Sequence, residues 1–269
     1  MKTLYISDLD GTLLSSSGLI SEYTAKVINE LTEKGMLFSY GTARSFVTAS
    51  KVTRNIRARI PAIVYNGTMT IDSQSGRVLL SNYFDIDIKM ILSDLLDRGI
   101  YPIVYTMIGG KEKFLYVEDK CTEGMQEFID TRDDERKTPV KCREKLLDGD
   151  IFYLSCIDEK EKLEPLYHKY KNECRCLFHK EVYTGRQWLE IMPKCASKAI
   201  AVKQLKEYLQ AEKVIVFGDG KNDIDMFEAA DEAYAVENAV DELKNIAAAV
   251  IDSNNADGVA KWLKENVKI

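Results

Sequence analysis

Short apolar runs recur along the chain, and several of them end abruptly on a polar cluster. Leu4-Tyr5-Ile6 leads into Asp8-Leu9-Asp10-Gly11-Thr12, and Met36-Leu37-Phe38-Ser39-Tyr40 into Gly41-Thr42-Ala43-Arg44. Much later, Val214-Ile215-Val216-Phe217 leads into Gly218-Asp219-Gly220-Lys221-Asn222-Asp223. Continuous apolar runs of this length read as strands buried on both faces. Between the first two lies a helical pattern, with Ser21 as N-cap, Val27, Ile28 and Leu31 on one side and Gly35 as the stop. A further helix leads to Ala62-Ile63-Val64-Tyr65 and the turn pair Asn66-Gly67. Strands separated by helices signal βαβ units, so the fold class expected is α/β with a parallel sheet.

The rhythm changes in the middle. A hairpin is expected over 68–84, flanking Ser73-Gln74-Ser75-Gly76, followed by mixed helices and strands and a highly charged stretch around 131–145. From Trp188-Leu189-Glu190-Ile191 onward the alternation of strand and helix resumes, with a helix over 197–209. The expected organisation is therefore a core formed by 1–84 and 188–269, interrupted by an inserted α+β cap over 85–187.

Composition sets limits on function. The chain has 269 residues, 45% hydrophobic and 30% charged, with a net charge of -6. That balance offers no broad basic field for nucleic acid or anionic lipid, so neither is an expected partner. No stretch approaches a membrane span and no secretory leader is evident, which makes the cytoplasm the expected compartment. The six cysteines lie mid-chain without a repeated Cys-x-x-Cys pair, which argues against a disulfide framework. His168, Cys174, Cys176 and His179 offer four zinc-type ligands, but Cys174 and Cys176 alternate on a strand-like run, where free cysteine behaves as a small hydrophobe.

The polar clusters suit phosphate chemistry. Ligands bind at the carboxyl ends of strands in open α/β sheets, and Asp8 and Asp10 stand at such an end. One carboxylate can attack phosphorus while its neighbour moves a proton. Two like charges this close call for a divalent cation, and Asp219 extends the pair into an oxygen-rich pocket suited to magnesium. Asp223 either holds metal-bound water or merely complements a helix dipole. Thr42 and Arg44 bring a hydroxyl and a guanidinium to a second strand end. Lys198 lies at a helix start, where a positive charge has little structural reason and an anionic ligand would explain it. Neither a Ser-His nor a Cys-His arrangement competes, and no Gly-x-Gly-x-x-Gly or Walker-type loop is present.

On these motifs the chain resembles the haloacid dehalogenase superfamily, in its Cof-type branch of magnesium-dependent phosphatases with a Rossmann-like core and a large α/β cap. Asp8-Leu9-Asp10-Gly11-Thr12 matches the first motif, Thr42 the second, Lys198 the third, and Gly218-Asp219 with Asn222-Asp223 the fourth. The long insertion between the second and third motifs is similar to that branch, and Asn66-Gly67 resembles another of its recurring features. Gly41-Thr42-Ala43-Arg44 stands where Ala-Thr-Gly-Arg is usual.

The resemblance implies that Asp8 forms an aspartyl-phosphate while Asp10 acts as acid and then base. It implies magnesium held by Asp8, Asp219, the Asp10 backbone carbonyl and, through water, Asp223, with Thr42, Lys198 and Asn222 on the phosphoryl oxygens. Arg44 and Asn66 join them as substrate-binding candidates, and Lys180, Tyr183 and Arg186 as candidates on the cap. The substrate expected is a small phosphomonoester, such as a sugar phosphate. A phosphosugar mutase using the same aspartyl-phosphate, or a non-catalytic phosphate-binding regulatory module, would carry much the same motifs. Oligomeric state is left open.

Overall fold

In the computed structural model, residues 2–57, 60–180 and 185–268 are described. The chain divides into two compact units, one built from 1–81 and 197–269 and the other from 82–196.

The first unit opens with β1 (Thr3–Asp8), α1 (Glu22–Glu33), β2 (Leu37–Gly41), α2 (Phe46–Val52), β3 (Pro61–Val64), β4 (Met69–Asp72) and β5 (Val78–Ser81). Ser21 caps α1 by accepting the Thr24 N–H at 3.0 Å, and Gly35 takes φ +104 just beyond its end, a conformation that favours glycine.

The second unit contains α3 (Ile88–Asp97), β6 (Ile103–Ile108), β7 (Lys111–Val117), α4 (Glu123–Asp130), β8 (Lys137–Val140), β9 (Asp150–Asp158), α5 (Lys160–Tyr170), β10 (Arg175–Lys180) and β11 (Gln187–Met192). Its six strands form one sheet in the order β10-β11-β9-β6-β7-β8. Pairing is antiparallel except for β7 with β8. Leu92, Leu95, Leu115, Leu154, Leu163, Leu189 and Ile191 share one hydrophobic core that joins the sheet to α3 and α5.

The position of β11 corrects the sequence reading, which assigned Trp188–Ile191 to the resumed core. Leu189 pairs with Cys156 on β9 and with Phe178 on β10. Gln187, Leu189 and Ile191 are buried while Trp188 and Glu190 are half-buried, a period of two that belongs to an antiparallel strand.

The chain then returns to the first unit through α6 (Lys198–Tyr208), β12 (Lys213–Gly218), α7 (Ile224–Ala229), β13 (Glu232–Val236), α8 (Asp241–Lys244), β14 (Ala249–Ile251) and α9 (Gly258–Asn266). The completed eight-stranded sheet runs β14-β13-β12-β1-β2-β3-β4-β5. It is parallel from β14 to β3 and antiparallel over β3-β4-β5. Trp262 of α9 packs its ring against Tyr5, Phe217 and Tyr234 from three adjacent strands, with centroids 6.3, 5.1 and 4.5 Å away. That contact seals one face of the sheet beneath the strand ends that matter chemically. The unit is an α/β Rossmann-like fold.

The described cysteines are all free. Among the described residues, no helix is long and apolar enough to cross a membrane.

Candidate active site

Parallel pairing brings the chemistry together. β1 lies between β12 and β2, in a register that sets Asp8 opposite Gly41 and Ser7 opposite Phe217. Asp8, Thr42 and Asp219 therefore emerge side by side from neighbouring strand ends, although more than two hundred residues separate the first from the last.

Asp10 and Gly11 form the corner of a tight turn after β1, with φ/ψ of -75/119 and 80/-5. These are type II turn angles, and the second position demands a residue that tolerates positive φ. Space imposes the same choice, because a Cβ on Gly11 would lie 2.3 Å from Asp219 Oδ2. Thr12, next along, donates its hydroxyl to Asp219 Oδ1 at 2.8 Å. The first and last acid clusters are thus joined by a direct bond that the sequence did not disclose.

Lys198 lies at the centre. Its ammonium donates to Asp8 Oδ1 at 2.5 Å and to Asp223 Oδ1 at 2.7 Å, and all three side chains are buried. The other Asp223 oxygen accepts the backbone N–H groups of Asp219 and Gly220 at 3.2 and 3.1 Å. Asp223 is therefore more than an acid at a helix start: it fixes the turn that presents Asp219.

Electrostatics show an unbalanced group. Burial pushes Asp8 well above the ordinary carboxylate range, Lys198 pulls it back, and Asp223 and Asp219 reinforce the rise. Burial likewise lifts Asp219 to about 6, against the bond from Thr12. Burial works against the Lys198 ammonium as well, yet Asp223 and Asp8 together hold it above its usual value. One ammonium thus stands among two buried carboxyls and the half-buried Asp219, and the shortfall of positive charge appears as proton affinity.

Carboxylate oxygens of Asp8, Asp219 and Asp223 lie within 4.8 Å of one another. An all-oxygen donor set short of positive charge fits a hard divalent ion such as magnesium. Among the described residues this is the only such convergence of three or more His, Cys, Asp or Glu side chains. The potential zinc ligands do not assemble: His168 lies against Tyr167, His179 stacks on Trp188, and Cys174 is buried.

Asp10 departs from the expected metal set as far as its side chain goes. Its carboxylate is half exposed and held in the fork of Arg44, with Nε to Oδ2 at 2.8 Å and an Nη to Oδ1 at 2.6 Å. The reason is reach: the corner of the turn brings the side chain to the loop after β2, where Arg44 meets it. Arg44, expected on substrate, spends its guanidinium on Asp10 here.

The opposite wall is formed by Thr42 and the Tyr65-Asn66-Gly67 turn. Thr42 is fully buried, its backbone N–H donating to Ile63 O and its Oγ1 accepting the Arg44 N–H. Asn66 donates its backbone N–H to Thr42 O at 3.0 Å. Tyr65 and Asn66 both take positive φ, 51° and 52°, a strained choice for non-glycine residues that recurs at functional sites. The turn presses on the start of α6, where a Cβ on Gly67 would lie 2.2 Å from Ser197 O and 3.0 Å from Lys198 N. The Asn66 side chain is buried beside these groups, and its Nδ2 has no acceptor. An unmet buried donor costs about 1–3 kcal/mol, so it marks a place suited to an oxygen atom.

Asn222 is exposed on the turn after β12. In the second unit Lys180 is exposed, Arg186 pairs with Glu123 at 2.6 Å and Glu127 at 3.3 Å, and Tyr183 falls outside the described residues.

A family model described as haloacid dehalogenase-like hydrolase matches residues 5–263. The 5-amino-6-(5-phospho-D-ribitylamino)uracil phosphatase YitU of Bacillus subtilis is 27% identical over 96% of this chain and 95% of its own length. A second phosphatase of that description from the same organism, YwtE, is 28% identical over 98% of each chain. Among solved structures, a protein of Thermotoga maritima superposes with a TM-score of 0.83 at 26% identity, over 100% of this chain and 99% of its own.

Proposed function

Since the chain belongs to the haloacid dehalogenase-like hydrolases and is a phosphatase, we propose that it cleaves a small phosphomonoester through an aspartyl-phosphate on Asp8. The observation that carries this reading is the buried Lys198 ammonium held between Asp8 and Asp223, with Asp219 adjacent. A cation enclosed by excess carboxylate is poor structural design, and it becomes intelligible once a phosphoryl group and a metal ion share the hollow.

In the first half-reaction an Asp8 oxygen attacks phosphorus, the ester P–O bond breaks, and Asp10 gives a proton to the leaving oxygen. In the second, water attacks the acyl phosphate, Asp10 takes its proton, and Asp8 is regenerated as phosphate departs. A carboxylate in the Arg44 fork only accepts hydrogen bonds, so Asp10 leaves that fork before it donates a proton. Lys198, Thr42 and the unpaired Nδ2 of Asn66 hold the phosphoryl oxygens, with Arg44 and Asn222 able to join them once released from their resting positions. Asp8, Asp219, Asp223 and the backbone carbonyl of Asp10 would hold magnesium. The ion would supply positive charge that offsets repulsion between an anionic nucleophile and an anionic ester.

We assign the substrate to the primary phosphates of sugars or polyols. The B. subtilis relatives are named for a phosphate on a ribityl chain. A poor alkoxide leaving group of that kind is what a dedicated acid such as Asp10 serves.

A phosphate-release panel of sugar, polyol, nucleotide and cofactor monoesters, run with magnesium and with a chelator, tests the reading. Release confined to the magnesium arm and highest with a primary alkyl phosphate is expected. Undiminished turnover in the chelator, or activation by a sugar bisphosphate with phosphoryl transfer to a second hydroxyl, would replace it.

A further inference from the structure

The loop after β13 touches both acid clusters, although it contributes no acid to either. Asn238 donates Nδ2 to the Gly11 carbonyl at 2.7 Å. Two residues on, the Val240 N–H donates to the Asp219 carbonyl at 2.9 Å. The Asn238 amide is itself oriented, because Asn254 donates its backbone N–H to Oδ1 at 3.0 Å. Asn254, buried, then donates its own Nδ2 to Leu14 O at 2.9 Å, at the far side of the same turn.

We propose that Asn238 is a positioning residue for the Asp10 turn, with Asn254 holding it in register, an inference that rests on the reading of Asp10 as proton donor. The Gly11 carbonyl belongs to the second corner of the type II turn whose first corner is Asp10. A planar trans peptide points the following Thr12 N–H opposite to that carbonyl. Anchoring the carbonyl therefore fixes the tilt of the turn, the reach of Asp10 and the hydroxyl that Thr12 extends to Asp219. Only an amide serves, since the side chain must accept at one end and donate at the other. Aspartate would keep the bond from Asn254 and set a second acceptor against the Gly11 carbonyl.

The test compares kcat/KM of Asn238→Asp and Asn238→Ala with wild type on a primary alkyl phosphate and on p-nitrophenyl phosphate, alongside thermal midpoints. This parameter reports the steps through phosphorylation of Asp8, where only the alkyl ester needs a strong acid. A loss of about tenfold or more on the alkyl ester, at most about threefold on the aryl ester, is expected with little change in midpoint. Equal losses on the two esters, or an alkyl rate within about twofold of wild type, would overturn it. If Asn238→Asp does not fold, Asn238→Ala is decided by the same ratio. A wild-type protein inactive on every ester would defeat the underlying phosphatase mechanism instead, so the two failures are distinguishable.

Discussion

Among the described residues, each unit buries one cation among acids, and the two clusters are built differently. In the second unit Arg136 donates Nε and an Nη to the two oxygens of Asp134, both at 2.8 Å, and its other Nη to Glu112 at 2.7 Å. Its guanidinium also lies 5.8 Å from the centre of the Phe114 ring. A planar fork matched to a carboxylate uses its directional donors fully. In the first unit Lys198 is a point charge shared by Asp8 and Asp223, with Asp219 left to a threonine hydroxyl. Both clusters hold more carboxylate than cation, but the first is closed by directed bonds from one fork, whereas the second gathers three carboxylates around one ammonium and contains an orphaned donor in Asn66. Burial of charge alone therefore does not identify a site, whereas three converging carboxylates beside an orphaned donor do.

The largest effect that tests this contrast is loss of the nucleophile. Asp8→Asn should lower turnover by about a thousandfold or more, because an amide neither attacks phosphorus nor forms an aspartyl-phosphate. Substituting neutral for anionic at this crowded position relieves repulsion, so the variant should unfold no earlier than wild type in a magnesium-free melt. A variant that is inactive only because it melts early would break the distinction.

Removal of each cation sharpens the comparison. Lys198→Met and Arg136→Met should each cost about 3 kcal/mol of stability, since each leaves buried carboxylates without their partner. Only Lys198→Met should also lower kcat, by about a hundredfold or more. Denaturant melts and initial rates on folded protein separate the two. Comparable kcat losses in both variants would show that the Arg136 cluster also serves the reaction.

The four chemical clusters were legible because each stands where an apolar run stops or a helix starts, and topology rather than local sequence brings such points together. The same logic identifies Gly11, whose type II turn follows from an Asp-Gly pair after a strand. The partners of these residues were less legible. Nothing local says that Lys198 bonds Asp223, since that depends on how α6 lies beside the turn after β12. Arg44 looked like a substrate ligand because a guanidinium at a strand end has no evident acid nearby in sequence, yet Asp10 is within reach across the β1–β2 pairing. Trp188–Ile191 was assigned to the wrong sheet because an apolar run carries no mark of its neighbours; the charged Glu190 between Leu189 and Ile191 was the available signal. Helix α4 escaped notice because it buries only Gly124, Met125 and Ile129. Asn238 carried no signal at all, being one exposed amide after a short strand.

A smaller effect concerns protons. Burial lifts Asp219 to about 6 in the folded chain, above an unfolded value of about 3.9. A raised pKa gives stability that is complete below the unfolded value and is lost as pH rises through the folded one, so the metal-free protein loses this contribution between about pH 4 and pH 6. Magnesium, which needs the ionised form, competes with the proton. The gain in thermal midpoint on adding magnesium should then be larger at about pH 7.5 than at about pH 5, by a few degrees. Equal gains at both pH values would mean that Asp219 is no ligand.

The smallest expected effect belongs to the second unit and runs in the opposite direction with pH. Asp94 is held at about 2: burial opposes this, but bonds from Tyr170, from Lys169 at 2.9 Å and from Arg98 at 3.1 Å outweigh it. A depressed pKa gives stability that is present above the unfolded value of about 3.9 and is lost as pH falls through about 2. Its carboxylate is 28% exposed, so water and salt weaken these bonds, and Asp94→Asn should cost only about 1 kcal/mol at neutral pH. The gap between variant and wild type should close on acidification below about pH 4, with kcat unchanged. A gap that persists at about pH 2 would mean that packing, rather than charge, makes Asp94 useful. A change in kcat would instead show that a satisfied ion cluster can bear on the chemistry, and would remove the contrast between a closed cluster and an open one.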